Sequence, residues 1–213
     1  MKVSSFVTGP FQENCYLVSD DRTGVAAIVD PGAEGDRLVA AVRDAGVHLE
    51  AVWLTHAHVD HLGAVAAVVR AFRVPVFLHP RDRMVYSRGS DIAVVFGIDF
   101  EQPPPPDREF AEGEGLSLGD LRFQVMCAPG HAPGHVVLHG EGVAFVGDCL
   151  FAGSIGRTDI PMSDGARLEQ SLARIVALPE STVVYPGHGP PTTIGEELRS
   201  NPFLTGVARP LKR

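Results

Sequence analysis

The sequence predicts an α/β protein: an αββα sandwich, two mixed β-sheets packed face to face and flanked by helices. Three observations predict it. Short β-branched and aromatic runs alternate with amphipathic helical stretches along the 213 residues. This strand-and-helix content occurs on both sides of four consecutive prolines, Pro103 to Pro106. Metal-competent side chains also stand just past several strand ends, where loops commonly carry function.

Val3–Thr8, Asn14–Val18 and Val25–Asp30 read as strands, with Asp20-Asp21-Arg22-Thr23-Gly24 as a hairpin turn. Glu34 to Ala45 carries apolar Leu38, Val39, Ala41, Val42 and Ala45 and meets Gly46, a natural stop, which predicts an amphipathic helix. Ala51-Val52-Trp53-Leu54 reads as a buried strand ending at Thr55, and Leu62 to Val69 as an apolar helix. Val76-Phe77-Leu78 is a short strand whose terminal His79 is expected to be structural. The four prolines lack N–H donors and form a polyproline connector. Strands follow near Gly115–Leu118, Leu121–Cys127, His135–His139, Val143–Gly147 and Val183–Tyr185. A helix from about Gly165 to Ala177 turns Leu168, Leu172, Ile175 and Val176 inward, and a short one lies around Ile194 to Ser200. We expect a single domain over residues 1–213, internally pseudo-duplicated around the connector.

Composition narrows the function. The 45% apolar and 7% aromatic content suits an Ala/Val/Leu-rich folded enzyme rather than a disordered chain. A net charge of −8, with lysines only at Lys2 and Lys212, argues against nucleic-acid binding, which needs clustered Lys and Arg. No apolar stretch approaches the ~20 residues that cross a bilayer. Met1 to Phe6 lacks the apolar segment and cleavage site of a secretory signal. Cys15, Cys127 and Cys149 are too few and odd in number for a disulfide framework, so reduced thiols and a cytoplasmic location are expected.

Residues 55 to 61, Thr-His-Ala-His-Val-Asp-His, carry the chemistry. A His-x-His-x-Asp-His pattern arises by chance in roughly one such protein in a thousand. His56 and His58, two apart, point to one side in extended backbone. Asp60 and His61 follow the turn into a helix and face a second point nearby. Crowded imidazoles and carboxylates are costly unless a cation accepts their lone pairs. Three more strand ends deliver His131, Asp148 and His188 beside Gly or Pro, making seven candidate ligands. Two clustered sets suggest two metals. Cys149 adjoins Asp148, but a free cysteine there reads as a small buried hydrophobe. His135 reads as support for the ligands and His139 as surface.

With its later Gly-His, Gly-Asp and Gly-His and its early Asp30-Pro31-Gly32, this pattern resembles the metallo-β-lactamase superfamily over nearly the whole chain. Gly147-Asp148-Cys149-Leu150-Phe151 with Ser154-Ile155-Gly156-Arg157-Thr158-Asp159 resembles its glyoxalase II branch, especially short bacterial members. The resemblance implies a first metal on His56, His58 and His131, a second on Asp60, His61 and His188, and Asp148 bridging both. It implies zinc, with iron as the other candidate, and a small-molecule thioester of the hydroxyacylglutathione type as substrate. It also places Arg157 toward the glutathione part, although Thr158-Asp159 is not the branch's usual aromatic arrangement. Full-length glyoxalase II has a further helical domain that shapes the glutathione surface; here 25 residues follow His188, room for one short helix.

The expected reaction is hydrolysis by water acidified on metal, whose pKa falls to about 7. Asp60 would orient that water or accept its proton. No Gly-x-Ser-x-Gly nucleophile elbow competes with this reading. Persulfide dioxygenases of the same superfamily also carry Gly-Arg-Thr-Asp, and that likeness implies one iron on His56, His131 and Asp148. A non-catalytic metal-binding module is the third reading.

Overall fold

Alternation along the strands sets the layers. In β2 (Glu13–Ser19), Cys15 and Leu17 join one apolar cluster while Tyr16 and Val18 join another, and all four are buried. Successive side chains of a strand point to opposite faces, so a strand buried on both lies inside a layered structure. The computed structural model describes residues 1–208. Lys212 lies outside the described residues.

The first sheet has the order β1-β2-β3-β4-β5-β6. It comprises β1 (Lys2–Thr8), β2, β3 (Val25–Val29), β4 (His48–Trp53), β5 (Val76–Leu78) and β6 (Arg108–Glu109). Its first three strands are antiparallel and the rest parallel, so it is mixed. The second sheet contains β7 (Gly115–Leu118), β8 (Leu121–Cys127), β9 (Val136–Gly140), β10 (Val143–Gly147), β13 (Val183–Pro186) and β14 (Thr192–Thr193). Only β10 and β13 pair in parallel there. A small ribbon, β11 (Leu150–Phe151) with β12 (Ser154–Ile155), follows β10.

Tyr16, Val29, Trp53, Phe123 and Phe145 fill the space between the sheets. Helices α1 (Gly35–Asp44) and α3 (Val65–Phe72) cover the first sheet through Leu38, Val42, Val65 and Val68. Helices α6 (Gly165–Ile175) and α7 (Ile194–Ser200) cover the second through Leu168, Leu172, Ile175 and Ile194. The αββα sandwich expected from the sequence is the fold observed.

Three details differ from expectation. The helix expected over Leu62 to Val69 starts earlier and is split into α2 (Val59–Leu62) and α3. At the break, Gly63 packs so closely on the loop after β3 that a Cβ would collide with the Gly32 carbonyl oxygen. The sequence does not announce α4 (Arg83–Ser87), α5 (Gly89–Phe96) or β6. In α5 the closing Val94, Val95 and Phe96 are exposed, so no inward-facing helical period marks it. His139, expected at the surface, is half-buried on β9, where it lies opposite Ala144. Pro103 to Pro106 lie outside helix and strand, as expected, and the Pro104 carbonyl accepts the Tyr86 hydroxyl at 2.6 Å. No helix among the described residues is long and apolar enough to cross a membrane.

Candidate metal centre

Four strand ends meet at one edge of the sandwich. The chain leaving β4 carries His56 and His58, then Asp60 and His61 on α2. The loop after β8 carries His131, the turn after β10 carries Asp148, and the turn after β13 carries His188. Strands anchored in packed sheets fix where each loop begins, which lets short loops present ligands with little freedom.

All seven predicted ligands come together. His56, His58 and His131 present ligand atoms within 4.8 Å of one another, and so do Asp60, His61 and His188. Asp148 lies between the two sets. Its Oδ1 is 3.4 Å from His61 Nε2, and its Oδ2 is 3.5 Å from His131 Nε2 and 3.6 Å from His188 Nε2.

Among the described residues, four buried side-chain atoms have no hydrogen-bond partner: His56 Nε2, His61 Nε2, Asp148 Oδ1 and Glu13 Oε1. Three of them belong to the seven ligands. Each buried unsatisfied group costs about 1–3 kcal/mol, and a divalent cation that accepts the lone pairs removes that cost. Imidazole nitrogens with carboxylate oxygens suit zinc or iron. The donor set therefore fits a metal.

Protonation divides the two sets. Burial holds His56, His58 and His131 below the usual imidazole range, His58 at about 3, so these rings are neutral and offer lone pairs. Burial pushes His61 down as well, but Asp148 and Asp60 outweigh it and raise the ring well above its ordinary value. His188 is raised in the same way by Asp60 and Asp148. Burial would raise Asp60 and Asp148, yet His61 and its neighbours bring both below the carboxylate range. A cation entering the second set must therefore displace protons from raised imidazoles, so its affinity should fall as pH falls. The first set, already neutral, should hold metal to lower pH. Calorimetry in buffers of different ionisation enthalpy checks this. Zinc binding to His58→Ala, which keeps the second set, should release more protons than binding to His188→Ala. Equal release would contradict it.

Side chains behind the ligands orient them. Asp30 accepts the Thr55 N–H at 2.7 Å and its hydroxyl at 2.6 Å, and lies 3.1 Å from His61 Nδ1. Asp30, His56 and His61 also come within 4.8 Å of one another, but both Asp30 oxygens are already engaged, so Asp30 positions rather than ligates. His131 Nδ1 lies 2.9 Å from the Arg157 carbonyl and His188 Nδ1 lies 3.1 Å from that of Phe11, arrangements that leave each Nε2 toward the centre. His135 supports the ligands as expected: its Nε2 accepts the Asp148 N–H at 3.0 Å. Cys149 is buried, its thiol directed to the Ala128 carbonyl and His135. His79 accepts the Arg81 N–H at 3.2 Å, a structural role.

The guanidinium of Arg157 is exposed and held by Asp159 at 2.8 and 2.9 Å, while its carbonyl touches the centre through His131. Two further buried acids were not foreseen as part of the centre. Glu13, its carboxyl pushed up by burial, has Oε1 3.9 Å from His61 Nδ1. Asp82 accepts N–H groups from two ligand-bearing loops. Both are single acids far from the histidine motif in sequence, so no local pattern marks them.

Residues 8–188 match the family model of the metallo-beta-lactamase superfamily. The chain belongs to that superfamily. It is 39% identical to hydroxyacylglutathione hydrolase GloC of Haemophilus influenzae, over 96% of this chain and 98% of that protein. Its fold superposes on the BLEG-1 B3 metallo-beta-lactamase with a TM-score of 0.90 at 38% identity, covering 96% of this chain and 100% of that one. It also superposes on TTHA1623 in a di-iron-bound form with a TM-score of 0.89 at 44% identity, covering 95% and 100%.

Proposed function

We propose that this superfamily member is a dinuclear metallohydrolase that cleaves a small-molecule thioester of the hydroxyacylglutathione type. The observation that carries the two-metal part is Asp148, set between two groups of three ligand side chains. The similarity to GloC along nearly both full lengths supports the substrate class. Bound at these residues, two divalent cations, zinc or alternatively iron, would supply an acidified water and a Lewis acid for the acyl carbonyl. Asp60, held ionised and 3.3 Å from His188 Nε2, would orient that water and accept its proton. A thiolate leaves without needing a dedicated acid at neutral pH. Three free cysteines fit a reducing, cytoplasmic compartment, and the net charge of −8 fits a protein with no nucleic-acid partner.

In this reading Arg157 meets an anionic part of the substrate. Asp159 engages Nε and Nη2, and the other guanidinium N–H groups remain as donors. Arg157→Ala should raise KM for carboxylated thioesters about three- to tenfold, exposure keeping the effect small, and leave bound metal unchanged. Equal losses on neutral and anionic thioesters would argue against charge recognition.

A second reading is an iron-dependent persulfide dioxygenase holding one iron on His56, His131 and Asp148; the di-iron-bound form of the similar TTHA1623 supports iron as the metal but not the single-ion count. Elemental analysis of the purified protein, coupled to thioester hydrolysis and to persulfide-dependent oxygen uptake, separates the two. Hydrolysis with two metals per chain supports the first. Oxygen uptake with iron and no hydrolysis would replace it. Metal loading without either activity would leave a binding module.

A further inference from the structure

Asp82 stands at the start of α4, where an aspartate ordinarily caps its own helix by accepting an N–H two or three residues on. It makes no such bond. Its Oδ2 instead accepts the N–H of Ala57 at 3.0 Å and its Oδ1 that of Gly134 at 2.5 Å, and the residue is fully buried. Ala57 stands between His56 and His58, and Gly134 follows His131 by three residues. The two loops leave different sheets, one after β4 and the other after β8. One carboxylate thus ties together the two loops that carry the three-imidazole set, where His58 Nδ1 and His131 Nε2 stand 2.9 Å apart. Neither bond reaches α2 or the turn after β13, which carry the other set.

We propose that Asp82 is the positioning residue that sets the spacing of His56, His58 and His131, and with it the affinity of the first metal. The inference rests on the two-metal reading of the centre. Gly134 is fitted to the tie, since a Cβ there would lie 2.7 Å from Asp82 N and 2.9 Å from Oδ1. The tie has a cost: burial pushes the carboxyl up to about 6, against the two N–H donors. An aspartate capping α4 at the surface would avoid that cost, so stability of the helix alone does not account for its burial.

The test is a stepwise cobalt(II) titration of the metal-free protein, followed by visible absorption. His58→Ala and His188→Ala supply the signatures of losing one set or the other. Asp82→Asn keeps the shape but turns an N–H donor toward one of the two backbone N–H groups. It should weaken the three-imidazole set by about 10- to 100-fold, the range for residues that orient ligands, and leave the Asp60, His61 and His188 set unchanged. Its titration should therefore look like that of His58→Ala. Gly134→Ala, with the carboxylate intact but the loop pushed away, should do the same, and it decides the matter if Asp82→Asn fails to fold. Wild-type affinity in the folded variants would overturn the inference. So would equal weakening of both sets in step with a lower Tm, which marks a plain structural role. If the wild-type chain takes up a single ion, the two-metal reading falls, and Asp82 is judged on whether that ion is weakened.

Discussion

Replacing Asp148 by alanine is expected to remove more activity than replacing any single imidazole, on the order of a hundredfold or more. Each imidazole belongs to one set, whereas the two Asp148 oxygens face ring nitrogens of both. The carboxylate is held ionised by its imidazole neighbours although the residue is buried. Its loss would remove a ligand from both positions and leave two adjacent cations less neutralised. Metal content and turnover of Asp148→Ala, His56→Ala and His188→Ala, compared with metal limiting, check the ranking. An Asp148 variant that keeps two metals and near-normal turnover would sink the dinuclear assignment.

Gly187→Ala should come close to the same loss without deleting any ligand. A methyl at Gly187 would fall on Asp148 Oδ1 and lie 2.6 Å from His61 Cε1, inside the centre. The backbone has no room to retreat. The Gly187 N–H donates to the Gly147 carbonyl at 2.8 Å, and its own carbonyl accepts the Asn14 N–H at 2.7 Å. Asp148 or His61 must therefore move, and one of them serves both sets. Overpacking of this kind costs about 1–3 kcal/mol, so the chain should still fold while metal affinity drops at least about tenfold. Circular dichroism with elemental analysis decides it. A folded variant with full metal content and normal turnover would show that the turn yields and that the close fit has no consequence.

Much of this centre was legible because its ligands sit in compact local patterns. Thr55 to His61 places four ligands within one strand-to-helix junction, and His131, Asp148 and His188 each follow an apolar strand by one to four residues. Elements that bury an alternating or helical face, such as β2, β8, α1 and α6, were equally plain. Elements without such a face were not: α5 exposes Val94, Val95 and Phe96, and β6 is two residues whose pairing with β5 exists only in the assembled sheet. The residues that hold the ligands were hardest to see. Asp30 reaches Thr55 across 25 residues, and Asp82 reaches Ala57 across 25 and Gly134 across 52.

By itself, then, the sequence determined the αββα layering and singled out the seven candidate ligand side chains that the fold brings together. Both are local properties: side-chain period along a strand or helix, and the residue types at its end. Only the tertiary structure decided that Gly63 breaks a helix against Gly32 and that Asp82 joins two loops instead of capping α4. It also decided that Arg157 reaches the centre through its carbonyl while Asp159 holds its guanidinium. Those contacts join chain segments from different strands and layers. Their geometry is set by how the two sheets close on each other, a quantity no short stretch of sequence contains.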